Sequence, residues 1–341
     1  MIRLLAIVGL VSSGISLPLR TQAQPEATLF LPFVFFNASF VPVTPAQHLK
    51  TIDTSVWPDY SSDPSGIDVF PPTATVSLLI SGTTTVIPLA GQYIAVDSEV
   101  DEANNAKQVN TFIFDHAGNQ LAGWPQVLSR TAEPAGVAIV DEGRCAIFAT
   151  DSTPGRLDQI CVGPDHTYQT ADDELTRLRL NGVLSLTIDL EDIAYHPDNN
   201  MLYLIGGSKQ VIGGLELGAN RRLDAVGSSS ADDQLLGPLF TTSALGEPDV
   251  EGAAICRKPA GASMVLVSNV RHSPVAAEVT LDGHKLRAIH FPVEIRSKSG
   301  LLCEVNPANG SMTLWVTDRG VDNDINPDEN DGKIYLFEVA L

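Results

Sequence analysis

Basic residues are scarce in this chain: 21 Lys plus Arg stand against 41 Asp plus Glu, a formal net charge of −20. Such a surface repels phosphate backbones and anionic lipid, so nucleic acid is excluded as a partner and divalent cations are attracted instead. Charged residues of both signs make up only 18% of the chain, and helical apolar periodicity is missing nearly everywhere, which argues against a helix bundle. There is no Cys-x-x-Cys pair, and the His residues are scattered without metal-ligand spacing, which argues against a zinc site. No Gly-x-Ser-x-Gly elbow is present. Beyond the N-terminal region no apolar run is long enough to cross a bilayer.

What the chain does have is glycine and proline, 27 and 22 of them, in a sequence 44% hydrophobic. Turn-rich, charge-poor composition at this length suits many short strands around a real core. Arg3, the apolar stretch Leu4 to Leu17 and the small-residue site Thr21-Gln22-Ala23 read as an export signal over residues 1–23. A leader follows over 24–48, with a second apolar run, Thr28 to Phe36, interrupted by Pro32; the body occupies 49–341. The expected location is secreted or periplasmic, and the expected state is a monomer with no membrane span after signal removal. Export permits disulfides. Cys145 and Cys161, on strands expected to be neighbours, should lie close enough to bridge. Cys256 and Cys303 fall at equivalent positions of different repeats and are expected to be apart and free.

The repeat is a short motif: acid, Pro or apolar, small residue or Glu, Gly, apolar. It occurs as Asp63-Pro64-Ser65-Gly66-Ile67 and Glu133-Pro134-Ala135-Gly136-Val137, then in degenerate form around Asp192, Gly252 and Gly300. Each copy leads into a β-type run and then a second apolar strand, and four of the five second strands end in Asp or Asn. The glycine suits a strand that starts near a crowded axis. Four strands per unit, at a period of roughly 50–70 residues, describe a β-propeller blade. The fold expected is therefore all-β, a propeller of five blades, or six if the long first unit with its insertion at Ser77 to Leu89 hides another. The N-terminal strand Leu49 to Thr54 is expected to join the last blade and close the ring.

Oxygen side chains alternate near the C-terminus at Asp322, Asp324, Asn326 and Asp328, followed by Asp331. Spacing of one in two can direct successive carboxylates at one calcium ion. Pro327 and Lys333 occupy positions that an EF-hand reserves for Gly and Glu, so this is not that motif. A second candidate is the loop from Gly163 to Leu175, with Asp165, Asp172 and Asp173. The stretch from Gly218 to Leu235 shares its Ala-Asp-Asp-x-Leu frame, but Arg221 and Arg222 there offer internal counter-charges and weaken the case for a cation. A further acidic run spans Asp97 to Glu102.

These motifs resemble a group of exported bacterial β-propeller repeat proteins, similar to NHL-type and regucalcin/gluconolactonase-like propellers and more distantly to phytase-like ones. The resemblance covers about residues 49–341, and the run from Asp318 to Tyr335 carries it most specifically. It implies the fold and calcium more firmly than an activity. The function expected is an exported calcium-binding propeller serving as a module for an unknown ligand or surface partner, without catalysis. The alternative is a metal-dependent hydrolase of phosphoesters or lactones, using carboxylates such as Asp63, Glu133, Asp189, Glu191, Asp249 and Glu251 at the channel.

Overall fold

The computed structural model describes residues 41–98, 109–125, 133–150, 155–180, 190–224, 232–320 and 330–340. The export signal, most of the leader, and Asp322, Asp324, Asn326, Asp328 and Asp189 lie outside them. Among the described residues there is no α-helix, and no helix long and apolar enough to cross a membrane.

The architecture is a β-propeller. The strands pair in runs of four. The first run is Pro64–Val69, Tyr93–Asp97, Val109–Phe114 and Gln120–Pro125. The second is Pro134–Val140, Cys145–Thr150, Arg156–Cys161 and Glu174–Arg179. The third is Leu190–His196, Met201–Gly206, Val211–Glu216 and Gln234–Thr241. The fourth is Val250–Lys258, Gly261–Ser268, Val275–Val279 and Lys285–His290. The fifth is Lys298–Val305, Met312–Asp318, Lys333–Val339 and, from the other end of the sequence, Val43–Asp53. That N-terminal strand begins six residues ahead of the boundary expected at residue 49. It runs antiparallel to Lys333–Val339 and touches Lys285–His290 in a short parallel pairing.

Five apolar clusters lie between consecutive sheets. Val96 and Ile113 of the first sheet meet Val137 and Phe148 of the second; Ile147 and Leu157 of the second meet Leu202 and Leu204 of the third. Ile205 meets Leu266 between third and fourth, Val267 meets Val316 between fourth and fifth, and Trp315 meets Tyr93 between fifth and first. A sheet covered on both faces explains why strands such as Tyr93–Asp97 and Cys145–Thr150 read as unbroken apolar runs rather than alternating ones.

The first strands of the sheets crowd together at the axis, each touching the next, and Lys298–Val305 also touches Pro64–Val69. A Cβ on Gly66 would lie 2.5 Å from the Gly136 Cα, and one on Gly300 would drive into the Ser65 carbonyl oxygen, so the motif glycines answer to backbone proximity. The third copy replaces Gly by Asp192, whose carboxylate turns aside to accept the Ala253 amide at 3.0 Å.

The terminal Asp of the second strands has a local duty. Asp97 accepts from the Ser61 hydroxyl at 2.7 Å and the Asp63 amide at 3.2 Å; Asp318 accepts from the amides of Arg296, Ser297 and Gly320. Each thereby holds the chain where it enters its own first strand.

The fourth strand of the second sheet is Glu174–Arg179, whose alternating exposure is that of an edge strand. Two sequence expectations change. The insertion after Ser77 is a small hairpin, Ser77–Leu79 with Val86–Pro88, which pairs in parallel with Thr167–Tyr168. The cysteines differ most. Cys145 and Cys161 face each other in register and are bridged, Cα atoms 4.1 Å apart. Cys256 and Cys303 are bridged as well, Cα atoms 5.3 Å apart, where they were expected free. Equivalent positions of consecutive repeats are distant on outer strands but adjacent on first strands, because those converge on the axis.

Candidate functional site

Two features merit description as sites: the aspartate loops between third and fourth strands, and a cavity at one end of the axis.

The loops after Cys161 and after Glu216 have one design. In the first, Asp165 accepts the Thr167 amide, Asp172 accepts from the Thr170 hydroxyl, and Asp173 accepts the Gln169 amide at 2.7 Å. In the second, Asn220 accepts the Arg222 amide, Asp232 accepts the Ala219 amide, and Asp233 accepts the amides of Gly218 and Asp224. Burial pushes the Asp173 and Asp233 carboxyls up in both loops. In the second loop Asp224 also folds back, accepting from Asn220 and from the Asp232 amide. There Asp224, Asp232 and Asp233 bring ligand oxygens within 4.8 Å of one another, and among the described residues they form the one such acidic group. Asp165, Asp172 and Asp173 share a loop without converging in that way.

Sequence reasoning ranked the second loop lower because of Arg221 and Arg222. Both side chains leave it. Arg222 pairs with Asp141 at 2.7 Å and Arg221 with Glu142 at 3.6 Å, on the neighbouring sheet. Gln159 adds a two-way bond to the Leu223 backbone. The loop is thus tied to its neighbour while its own carboxylates gain no cationic side chain from those arginines.

Of the C-terminal candidates, Asp331 is described. Its carboxylate lies against Gly320 and pairs with Arg296 at 2.7 Å. Asp322, Asp324, Asn326 and Asp328 lie outside the described residues.

The cavity, of about 670 Å³, is lined from all five first strands, by Asp68, Ile139, Tyr195, Ile255 and Glu304 among others. It sits at the strands' C-terminal ends. Beneath it the residues following the motif glycines and Asp192, namely Ile67, Val137, Ile193, Ala253 and Leu301, border a space of only about 40 Å³. Asp68 borders both. Its oxygens accept the Ile139 amide at 2.6 Å and its neighbour Val69's amide at 2.8 Å, yet burial outweighs these amides and pushes the carboxyl up to about 7. Glu304 is held by the Trp315 indole at 2.7 Å and the Tyr93 hydroxyl at 3.1 Å, which in turn lies 2.9 Å from His116 Nδ1. Neither Asp68 nor Glu304 was singled out from sequence.

Of the acids that were singled out, Asp63, Glu133, Glu191, Asp249 and Glu251 lie at or just before the starts of these strands, the opposite ends. Asp63 is fully buried, Glu251 is buried with Arg319 at 3.4 Å, and Glu191 packs against Gly207. His196 accepts the Asp198 amide within its own turn, a local role. Arg287, Arg296 and Lys298, close in sequence, form no basic cluster: Arg287 is buried on Glu278, Lys298 donates to the carbonyls of Val270 and Ser273, and Arg296 is on Asp331.

No family model matches this chain, and no curated protein does. Similar solved structures include regucalcin, a calcium-binding protein from Agrobacterium tumefaciens, at 14% identity over 88% of this chain and 97% of that one, TM-score 0.44. A luciferin-regenerating enzyme matches at 13% identity over 78% of each chain, TM-score 0.42. The β-propeller domain of Cps50 (Swd1) from Myceliophteria thermophila matches at 10% identity over 72% of this chain and 65% of that one, TM-score 0.37. Similarity at this level lends this chain none of their activities.

Proposed function

We propose that this chain is an exported, calcium-binding β-propeller with a closed ring of five blades, serving as a ligand-binding module with calcium in its aspartate loops and ligand in the axial cavity. The observation that carries the calcium part is the Asp224–Asp232–Asp233 triad. An ion bound by oxygens at about 2.4 Å needs donors no more than about 4.8 Å apart, and these hard carboxylate oxygens meet that limit. Asn220, bonded to Asp224, offers a further oxygen nearby. Calcium there would offset the mutual repulsion of three carboxylates and fix the loop that bridges second and third sheets. Two disulfides accord with an oxidising compartment. The hydrolase alternative has less support, since of its carboxylates Asp63 is fully buried and Glu251 is engaged by Arg319.

The test is thermal unfolding in millimolar calcium and in chelator, for wild type, for Asp232→Asn/Asp233→Asn and for Asp324→Ala/Asp328→Ala. Calcium at about 100 times its Kd adds about 2.7 kcal/mol, or about 4 °C for a domain of this size. The first variant is expected to lose its share of that rise, and the second to report the C-terminal loop separately. A wild-type midpoint indifferent to calcium refutes the calcium reading.

A further inference from the structure

The axial cavity has a definite chemical character. Every first strand contributes to its wall, and among the five central wall residues three, Ile139, Tyr195 and Ile255, present hydrocarbon or ring. The other two, Asp68 and Glu304, are carboxylates anchored from behind: Asp68 by two backbone amides, Glu304 by an indole and a phenol. Among the described residues neither is ion-paired with a basic side chain. At the rim Arg221 and Arg257 are drawn off to Glu142 and Asp198. The lining holds four carboxylates, Asp68, Asp141, Glu142 and Glu304, against two guanidinium groups, within a chain of net charge −20. The field therefore draws cations in, and the walls favour a cation that carries hydrocarbon.

We propose that this cavity binds a small organic cation, an alkylammonium, with its charge on Asp68 and Glu304 and its chain against Ile139, Ile255 and Tyr195. A bare metal ion would leave those walls unused, and a neutral molecule would leave the two carboxylates unanswered. The proposal rests on the reading of this cavity as the ligand site, and not on calcium in the loops.

Proton linkage gives it a signature. The groups around Asp68 are the Ile139 amide with Asp141 and Glu142 beyond it, Asp192 and Tyr195 from the third sheet, Arg257 from the fourth and Glu304 from the fifth. With its carboxyl pushed up to about 7, Asp68 is about half protonated at pH 7. A bound ammonium favours the carboxylate, so binding expels that proton to solvent. Affinity should rise about tenfold from pH 6 to pH 8, over which an alkylamine stays charged.

The experiment is isothermal titration of the mature, disulfide-intact chain with n-pentylamine in chelator, in two buffers of different ionisation enthalpy. Release of about 0.5 proton per amine at pH 7 is expected. Glu304→Gln should weaken binding at least fivefold while keeping the pH dependence, and Asp68→Asn should abolish the pH dependence. Should Asp68→Asn fail to fold, the wild-type proton count still decides. Absence of binding, or equal affinity for n-pentanol, would each overturn the proposal. Because all titrations run in chelator, a failure here leaves the calcium-dependent unfolding result untouched.

Discussion

The Cys256–Cys303 bridge joins the first strands of the fourth and fifth sheets, and its removal is the sharpest probe of how the ring holds together. The closed loop spans a sequence separation of 47, against 16 for Cys145–Cys161. On the chain-entropy argument the longer loop constrains the unfolded chain by about 4 kcal/mol and the shorter by about 3. The two also differ in what they join. Cys145 and Cys161 already pair through a strand ladder in one sheet, whereas the longer bridge crosses between sheets that otherwise meet through side chains and close backbone approach. Cys256→Ala/Cys303→Ala should therefore lower urea-unfolding stability by about 4 kcal/mol, or about 6 °C in Tm for a domain this size. Cys145→Ala/Cys161→Ala should cost less. The assay pairs these unfolding curves with thiol titration of wild type in denaturant without reductant, where no free thiol is expected. Two free thiols, or an inter-sheet variant as stable as wild type, would refute the reasoning.

Two further outcomes are expected. Asp68 has its folded carboxyl raised to about 7 from an ordinary value of 3.8, so the folded state binds the extra proton and stability falls as pH rises from about 4 to about 7; Asp68→Asn should flatten that slope in unfolding curves taken across this range, and an unchanged slope would contradict it. Gly300→Ala should cost about 1–3 kcal/mol or more, because its Cβ meets the Ser65 carbonyl, whereas Gly237→Ala, with open space around it, should change the denaturation midpoint little; comparable losses at both would sink the axial-crowding argument.

Much of the fold was legible because the propeller repeats one geometric problem. Each unit brings a strand to the axis, where backbone crowding demands glycine, and each sheet is buried on both faces, which writes continuous apolar runs. Gly66, Gly136, Gly252 and Gly300 carry the first signal, and Tyr93–Asp97 and Cys145–Thr150 the second. The N-terminal strand, expected from strand type over Leu49 to Thr54, pairs with Lys333–Val339 as Val43–Asp53. What escaped were matters of direction. That Cys256 and Cys303 meet depends on strands converging at the axis. That Arg221 and Arg222 point out of their loop, leaving Asp224, Asp232 and Asp233 to one another, depends on Asp141 and Glu142 from the neighbouring sheet. Contacts between repeats leave no spacing within a repeat.

The axial carboxylates escaped for a related reason, and it bears on where chemistry can sit in such a fold. Positions that recur serve packing: the residues after the motif glycines and Asp192, namely Ile67, Val137, Ile193, Ala253 and Leu301, close in on the axis together. One position further on, four units carry apolar residues, Ala138, Ala194, Ala254 and Leu302, and the first carries Asp68. An ionisable group there gains nothing for packing and is raised in pKa by its burial. Asp192 is the same kind of departure, an acid where the other four units have glycine. Matching repeats to one another selects what is shared, so it finds the scaffold and passes over the site. In a ring of near-equivalent units, a polar residue at one unit's otherwise apolar axial position is the departure from the repeat that most calls for a functional test.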